Sequence, residues 1–160
     1  MSDEKEWAIR PATLDDLPAI VLVEERVHAF PWTLESFQAE FQKPYSHFFV
    51  ITDDETDSII AGYIVFWILF DECQILNVAV DTSHRGMGHA KRLVREAVKA
   101  AVRVNLKKVT LEVRKSNQPA IELYQGLGFT IRNVRKEFYS NGEDAYVMGI
   151  DVDSPVPENF

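Results

Sequence analysis

The spacing of apolar residues changes along the chain, and each change marks an element. Trp7 to Arg10 reads as a first strand. Thr13, Asp15 and Asp16 are helix-starting residues, and Leu17, Ile20, Val21, Val23 and Val27 form the apolar side of the helix that follows. Pro18 fits only in its first turn. Phe30-Pro31-Trp32 breaks this helix. Thr33 then caps a second helix through Phe41, with Leu34, Phe37 and Phe41 on one face. Strand-like runs follow at Phe48 to Asp53, Ile59 to Phe70 and Glu72 to Val80. Asp53, Asp54 and Asp57 make a polar turn between the first two. Helical spacing returns from Gly88 to Val104, through Ala90, Leu93, Val94, Ala97, Val98 and Ala101. Lys108 to Arg114 alternates as a strand. Asn117 opens another helix, with Pro119 in its first turn and Gly128 just past its end. Phe129 to Phe138 and Ala145 to Val152 close the chain as strands. The order predicts an α/β (α+β) fold, a mixed sheet with helices on its faces.

No repeat, low-complexity tract or linker divides the 160 residues, so one domain is expected over 7–152, with tails at 1–6 and 153–160. Hydrophobic residues make up 46% and charged residues 26%, ordinary globular usage. No apolar run reaches the ~20 residues of a membrane helix. Met1 to Glu6 is charged and no apolar segment follows it, so no signal peptide is expected. Cys73 is the only cysteine, which excludes an internal disulfide and fits a reducing compartment. A cytoplasmic protein is the expectation. The net charge of −8 argues against nucleic-acid binding, which needs a basic face. It suits either a cationic partner or simple solubility. No feature signals oligomerisation, and a monomer is expected.

Val78-Ala79-Val80 ends an apolar strand, and Arg85-Gly86-Met87-Gly88-His89-Ala90 opens a helix. Glycines let backbone approach an anion, and a helix N-terminus presents unpaired N–H groups. Arg85, Lys91 and Arg92 are available to add charge. A tight turn alone would look the same. A P-loop requires Gly-Lys-Ser/Thr, which is absent, and Lys91 stands where a Rossmann fingerprint needs its third glycine. What remains, Arg85-x-x-Gly88-x-Ala90, resembles the Gln/Arg-x-x-Gly-x-Gly/Ala signature of the Gcn5-related N-acetyltransferase superfamily. The resemblance implies a single-domain fold with a mostly antiparallel mixed sheet and about four helices. It also implies acetyl-CoA as acetyl donor. Val78, Ala79 and Val80 would pair with the pantetheine arm, and the amides of Arg85, Gly86, Met87, Gly88, His89 and Ala90 would hold the pyrophosphate. An amide of that strand would polarise the thioester carbonyl.

A second constellation carries acid–base chemistry. Acetyl transfer to an amine needs a neutral nucleophile, and an α-amine of reference pKa ~8 can lose its proton to a carboxylate. The departing thiolate benefits from an acid such as tyrosine, of reference pKa ~10. Glu112 faces opposite to Val109, Leu111 and Val113, where a solvated or paired glutamate would also sit. Tyr124 shares its helix with Ala120 and Ile121, and core packing with the hydroxyl at the rim is equally open. Asn117 suits a helix cap. The run Leu111-Glu112-Val113-Arg114…Asn117…Ala120-Ile121-x-Leu123-Tyr124…Leu127-Gly128-Phe129 is similar to the RimI-type branch, the ribosomal-protein-alanine N-acetyltransferases. His28-Ala29-Phe30-Pro31-Trp32, Asn77 to Val80 and Gly142 to Ala145 resemble the same branch. The likeness spans Leu14 to Val152. It implies Glu112 as general base, Tyr124 as general acid, and Asn117 as a coenzyme A contact beside its capping role.

The remaining candidates are weaker. His28, His47, His84, His89 and Cys73 form no zinc-ligand pattern, so no metal is expected. Cys73 reads as packing. Tyr139 and Tyr146 line a peptide channel or pack at the rim. Phe30 and Trp32 anchor a loop into the core or form a substrate wall. The resemblance implies direct acetyl transfer to the N-terminal alanine of a small-subunit ribosomal protein. Two alternatives stand beside it: acetylation of lysine or a small amine, and a noncatalytic coenzyme A-binding module. The second needs only the phosphate turn, so the presence of both Glu112 and Tyr124 argues against it.

Overall fold

The computed structural model describes residues 6–53 and 55–152. Of the expected tails only Glu6 is described; residues 1–5 and 153–160, and Asp54 of the polar turn, lie outside the described residues. The elements are β1 (Trp7–Pro11), α1 (Leu17–Val27), α2 (Leu34–Glu40), β2 (Ser46–Asp53), β3 (Ile60–Leu69), β4 (Glu72–Val80), α3 (His89–Arg103), β5 (Lys108–Arg114), α4 (Gln118–Gly126), β6 (Thr130–Arg135) and β7 (Ala145–Asp151). Hydrogen-bonded neighbours in the seven-stranded sheet follow the order β1-β2-β3-β4-β5-β7-β6. β1 with β2, β5 with β7 and β6 with β7 are antiparallel; β4 with β5 is parallel. This is the mixed sheet with four helices that the sequence predicts. Among the described residues no helix is long and apolar enough to cross a membrane.

The chain divides into two compact units. One holds the residues through Phe66 together with Asn77–Val94; the other holds Trp67–Leu76 and the residues from Arg95 onward. In the first unit a 3-10 turn, Leu14–Asp16, leads into α1. The Asp16 carboxylate accepts from the Thr13 amide at 2.7 Å and pairs with Arg10 at 2.8 Å. That guanidinium, in the lead, holds Asp16 below the usual carboxylate range. Pro18 falls in the first turn of α1, where its missing N–H costs nothing. Thr33 caps α2 by accepting from the Ser36 amide at 3.1 Å. The Asp53 carboxylate gathers the amides of Thr56, Ser58 and Ile59 and the Thr56 hydroxyl. With the Thr56 hydroxyl leading, these donors hold it at about 2.

Three expectations are corrected here. The buried residues of α2 are Phe37 and Glu40. Leu34 is exposed, and Phe41 is half-buried against Phe48, so the expected three-residue apolar stripe does not form. Phe30 is 55% exposed and so is not a core residue, whereas Trp32 packs on Phe37 at 5.2 Å. β6 is shorter than the expected Phe129 to Phe138: Phe129 is a buried residue preceding it, and Phe138 lies in the turn beyond.

Gly62 fixes the spacing of β3 and the C-terminal end of β4. A Cβ there would lie 2.5 Å from the Ala79 carbonyl oxygen and 3.2 Å from Val80 Cα. Both neighbours are backbone, so neither can swing aside. The Asp81 amide donates to the Ala61 carbonyl at 2.7 Å just past this contact. Gly62→Ala is expected to lower stability by about 1–3 kcal/mol, the scale of overpacking a tight interior. A urea midpoint equal to that of the parent would contradict it.

Candidate functional site

In the first unit, β4 delivers Val78 and Ala79 buried and Val80 half-buried. The parallel register with β5 covers Cys73 to Ile75, and Leu76 to Val80 continue β4 beyond it. A 3-10 turn, Thr82–His84, follows, and then Arg85 to Gly88 lead into α3. Gly86 and Gly88 both take positive φ, +81° and +78°, which side chains adopt with strain. A Cβ added at either would meet nothing within 4 Å, so each glycine serves the backbone path and leaves open space. The Arg92 amide donates to Gly88 O at 3.1 Å, which makes Gly88 the first helical acceptor. The amides just after it belong to the unpaired first turn. Together with the dipole of α3 they supply the donors and the positive end that an anion cradle needs.

The side chains around this turn divide. Arg85, Met87 and Lys91 are exposed. Arg92 is committed elsewhere, donating to the Trp7 carbonyl at 2.9 Å. His89 turns inward and lies edge-on to Trp7 at 4.8 Å. Burial first, then the charges of Arg92 and His84, lowers its pKa and favours the neutral ring. Only the backbone of His89 remains suited to an anion.

In the second unit, β5 alternates as expected: Val109, Leu111 and Val113 are buried, and Glu112 points from the other face. Gln74 Nε2 donates to Glu112 Oε2 at 3.2 Å, and Arg135 Nη1 lies 3.4 Å from Oε1. Neither partner was apparent from the sequence pattern, because both come from strands distant in the chain. Asn117 caps α4, its side-chain oxygen accepting from the Ala120 amide at 3.3 Å. Tyr124 is buried against Phe129, with ring centroids 5.7 Å apart. Burial, with a smaller contribution from Tyr139, pushes its phenol well above the usual tyrosine range.

Tyr139 joins these groups. Its phenol is raised chiefly by burial, lowered by Arg114 and raised by Glu112 and Glu143. The Arg114 guanidinium lies 3.9 Å from its ring centroid and donates to Glu143 Oε1 at 3.0 Å. Glu143 Oε2 accepts from the Ser116 amide at 2.8 Å. Hydrogen bonding from Ser116 leads the forces that hold the Glu143 carboxyl below its ordinary value. The turn before β7 is thus clamped to the end of β5. Cys73 is buried, and desolvation pushes its thiol up to about 12. It reads as packing, since burial disfavours the thiolate that a nucleophile needs.

The Acetyltransferase (GNAT) family model matches residues 13–129. The chain belongs to this family. It is an acyltransferase of the GNAT fold. Among its relatives is a Bacillus subtilis (strain 168) protein provisionally named a ribosomal protein bS18-alanine N-acetyltransferase. It is 37% identical over 91% of this chain and 95% of its own length. The ribosomal protein bS18-alanine N-acetyltransferase of Escherichia coli (strain K12) is 30% identical over 86% of this chain and 92% of its own. The crystal structure of the Escherichia coli ribosomal-protein-S18-alanine N-acetyltransferase superposes with a TM-score of 0.79, at 30% identity, over 97% of this chain and 99% of that one.

Two outcomes separate the local roles in this GNAT domain. Asn117→Ala is expected to cost about 1 kcal/mol through the lost cap, measured as a shift in the denaturant midpoint. A variant as stable as the parent would contradict the capping geometry. Cys73 is expected to resist iodoacetamide in the native protein at mildly alkaline pH and to react only after unfolding. Rapid native alkylation would contradict its burial.

Proposed function

We propose that the protein transfers the acetyl group of acetyl-CoA directly to the N-terminal alanine of ribosomal protein bS18, in the cytoplasm. The observation that carries the acceptor is the near full-length similarity to relatives named for that reaction. The chemistry rests on the residues. Val78 to Val80 are the strand for the pantetheine arm, and the amides from Arg85 to Ala90 are the pyrophosphate cradle. Asn117, while capping α4, adds a contact to coenzyme A. Acetyl-CoA supplies the activated acyl group.

Glu112 is the general base. Gln74 and Arg135 fix where its carboxylate oxygens lie, and each oxygen keeps a second lone pair for the acceptor's proton. Once neutral, the amine attacks the thioester carbonyl, the C–N bond forms, the C–S bond breaks, and the nitrogen gives up its surplus proton to solvent, which balances the proton that the thiolate receives. Tyr124 is the general acid for the leaving thiolate. Its raised pKa means that it enters the reaction protonated. Burial also favours a neutral thiol over a thiolate, so the same environment that makes the phenol reluctant to ionise makes the sulfur eager for a proton.

The test is incubation with labelled acetyl-CoA and ribosomal proteins, followed by mass spectrometry. Label on the N-terminal alanine of bS18 is expected; label only on internal lysines would overturn the acceptor. Glu112→Gln is expected to reduce kcat by about 10²–10⁴-fold with little change in acetyl-CoA affinity. Lost cofactor binding with normal turnover at saturation would remove Glu112 as base. Tyr124→Phe should cost about 10²-fold or more in kcat. An unchanged rate and pH profile would remove Tyr124 as acid.

A further inference from the structure

Outside the groups used above, one buried polar cluster in the first unit is built around Glu24. Glu24 is on α1, and its relative exposure is 0%. Its Oε2 accepts from the Trp32 backbone amide at 2.9 Å and from Asn77 Nδ2 at 3.0 Å. Its Oε1 accepts from the Tyr63 hydroxyl, and His28 Nε2 lies 3.4 Å away. Asn77 Nδ2 also donates to the Tyr63 oxygen at 3.0 Å. Asn77 directly precedes the Val78–Val80 stretch, and Trp32 lies in the loop between α1 and α2.

This arrangement dictates which way the Asn77 amide faces. A backbone N–H only donates, so Glu24 Oε2 must be an acceptor, and the Asn77 group beside it must be the NH2. Both Nδ2 hydrogens are then spent on Glu24 and Tyr63. The Oδ1 atom is left on the far side of the amide, with no hydrogen-bond partner among the described residues. Asn77 is only half-buried, so that oxygen is within reach of a ligand. An oriented carbonyl with an unused lone pair calls for an N–H donor. The α-amine of the acceptor and the amides of the pantetheine arm both qualify.

We propose that the Asn77 side-chain carbonyl receives a hydrogen bond from the acceptor's N-terminal amine, with Glu24 as the positioning residue that turns it toward that role. The inference rests on the N-terminal acetylation argued above. The probes are a synthetic peptide with the bS18 N-terminal sequence and the same peptide with a propionyl group replacing the alanyl residue, which removes only the amine. Asn77→Ala is expected to raise the KM of the alanyl peptide at least about tenfold. The KM of acetyl-CoA and the inhibition constant of the propionyl peptide stay at parent values. Equal weakening of both peptides would mean a structural role and overturn the proposal; so would a rise confined to acetyl-CoA. In the unmutated protein, the Asn77 side-chain amide resonance is expected to shift with the alanyl peptide and not with the propionyl one. Identical responses would overturn the proposal even if the variant does not fold. Absence of acetylation of the alanyl peptide by the parent would overturn the N-terminal reading itself, a separate and recognisable failure.

Discussion

A carboxylate removed from water must be surrounded by donors or it destabilises the fold by several kcal/mol. Glu24 meets this demand with a backbone amide, a carboxamide and a phenol, drawn from the loop after α1, from β4 and from β3. Because each donor comes from a different segment, satisfying one charge fixes three chain paths at once. The loop containing Phe30 and Trp32 is held by this polar anchor and by the ring of Trp32 on Phe37. The constraint ties β4 at Asn77, directly before Val78 to Val80, to α1 and β3.

Glycine supplies the complementary constraint at the exit of β4. Gly62 admits the Ala79 carbonyl at a distance no other residue allows, and Gly86 and Gly88 then carry the chain through positive φ into α3. Among the described residues, nothing lies within 4 Å of where a Cβ would stand at Gly86 or Gly88, so the turn leaves open space beside its backbone. That is the property an anion cradle needs. In the second unit the ordering device is ionic instead. Arg114 and Glu143 clamp the turn before β7, and Tyr139 is held in the field of Glu112, Arg114 and Glu143.

The element order was legible because periodicity is a strong signal. β4 and β5 begin and end at the residues where their apolar patterns do. The caps at Thr33 and Asn117 were legible because capping is local chemistry. What pattern could not reveal was polar burial. Glu24 and Glu40 stand at core-facing helical positions, yet periodicity scores a glutamate as surface, so Leu34, which is exposed, was placed beside Phe37 where Glu40 is the buried residue. The burial of Glu24 is explained by donors from Trp32, Tyr63 and Asn77, which helical periodicity does not register, and Glu40 pairs with Lys43 at the end of its own helix. The partners of Glu112 were hidden for the same reason: Gln74 is 38 residues away. The inward turn of His89 follows from packing against Trp7, on β1, which no local signal within the turn motif encodes.

The central claim is that the end of β4 and the start of α3 form the acetyl-CoA grip. Hydrogen–deuterium exchange of the protein with and without acetyl-CoA addresses it residue by residue. The account requires slowed exchange of the amides from Val78 to Val80 and from Gly86 to Lys91 on addition of acetyl-CoA. Unchanged exchange across both stretches, with protection appearing elsewhere, would contradict it.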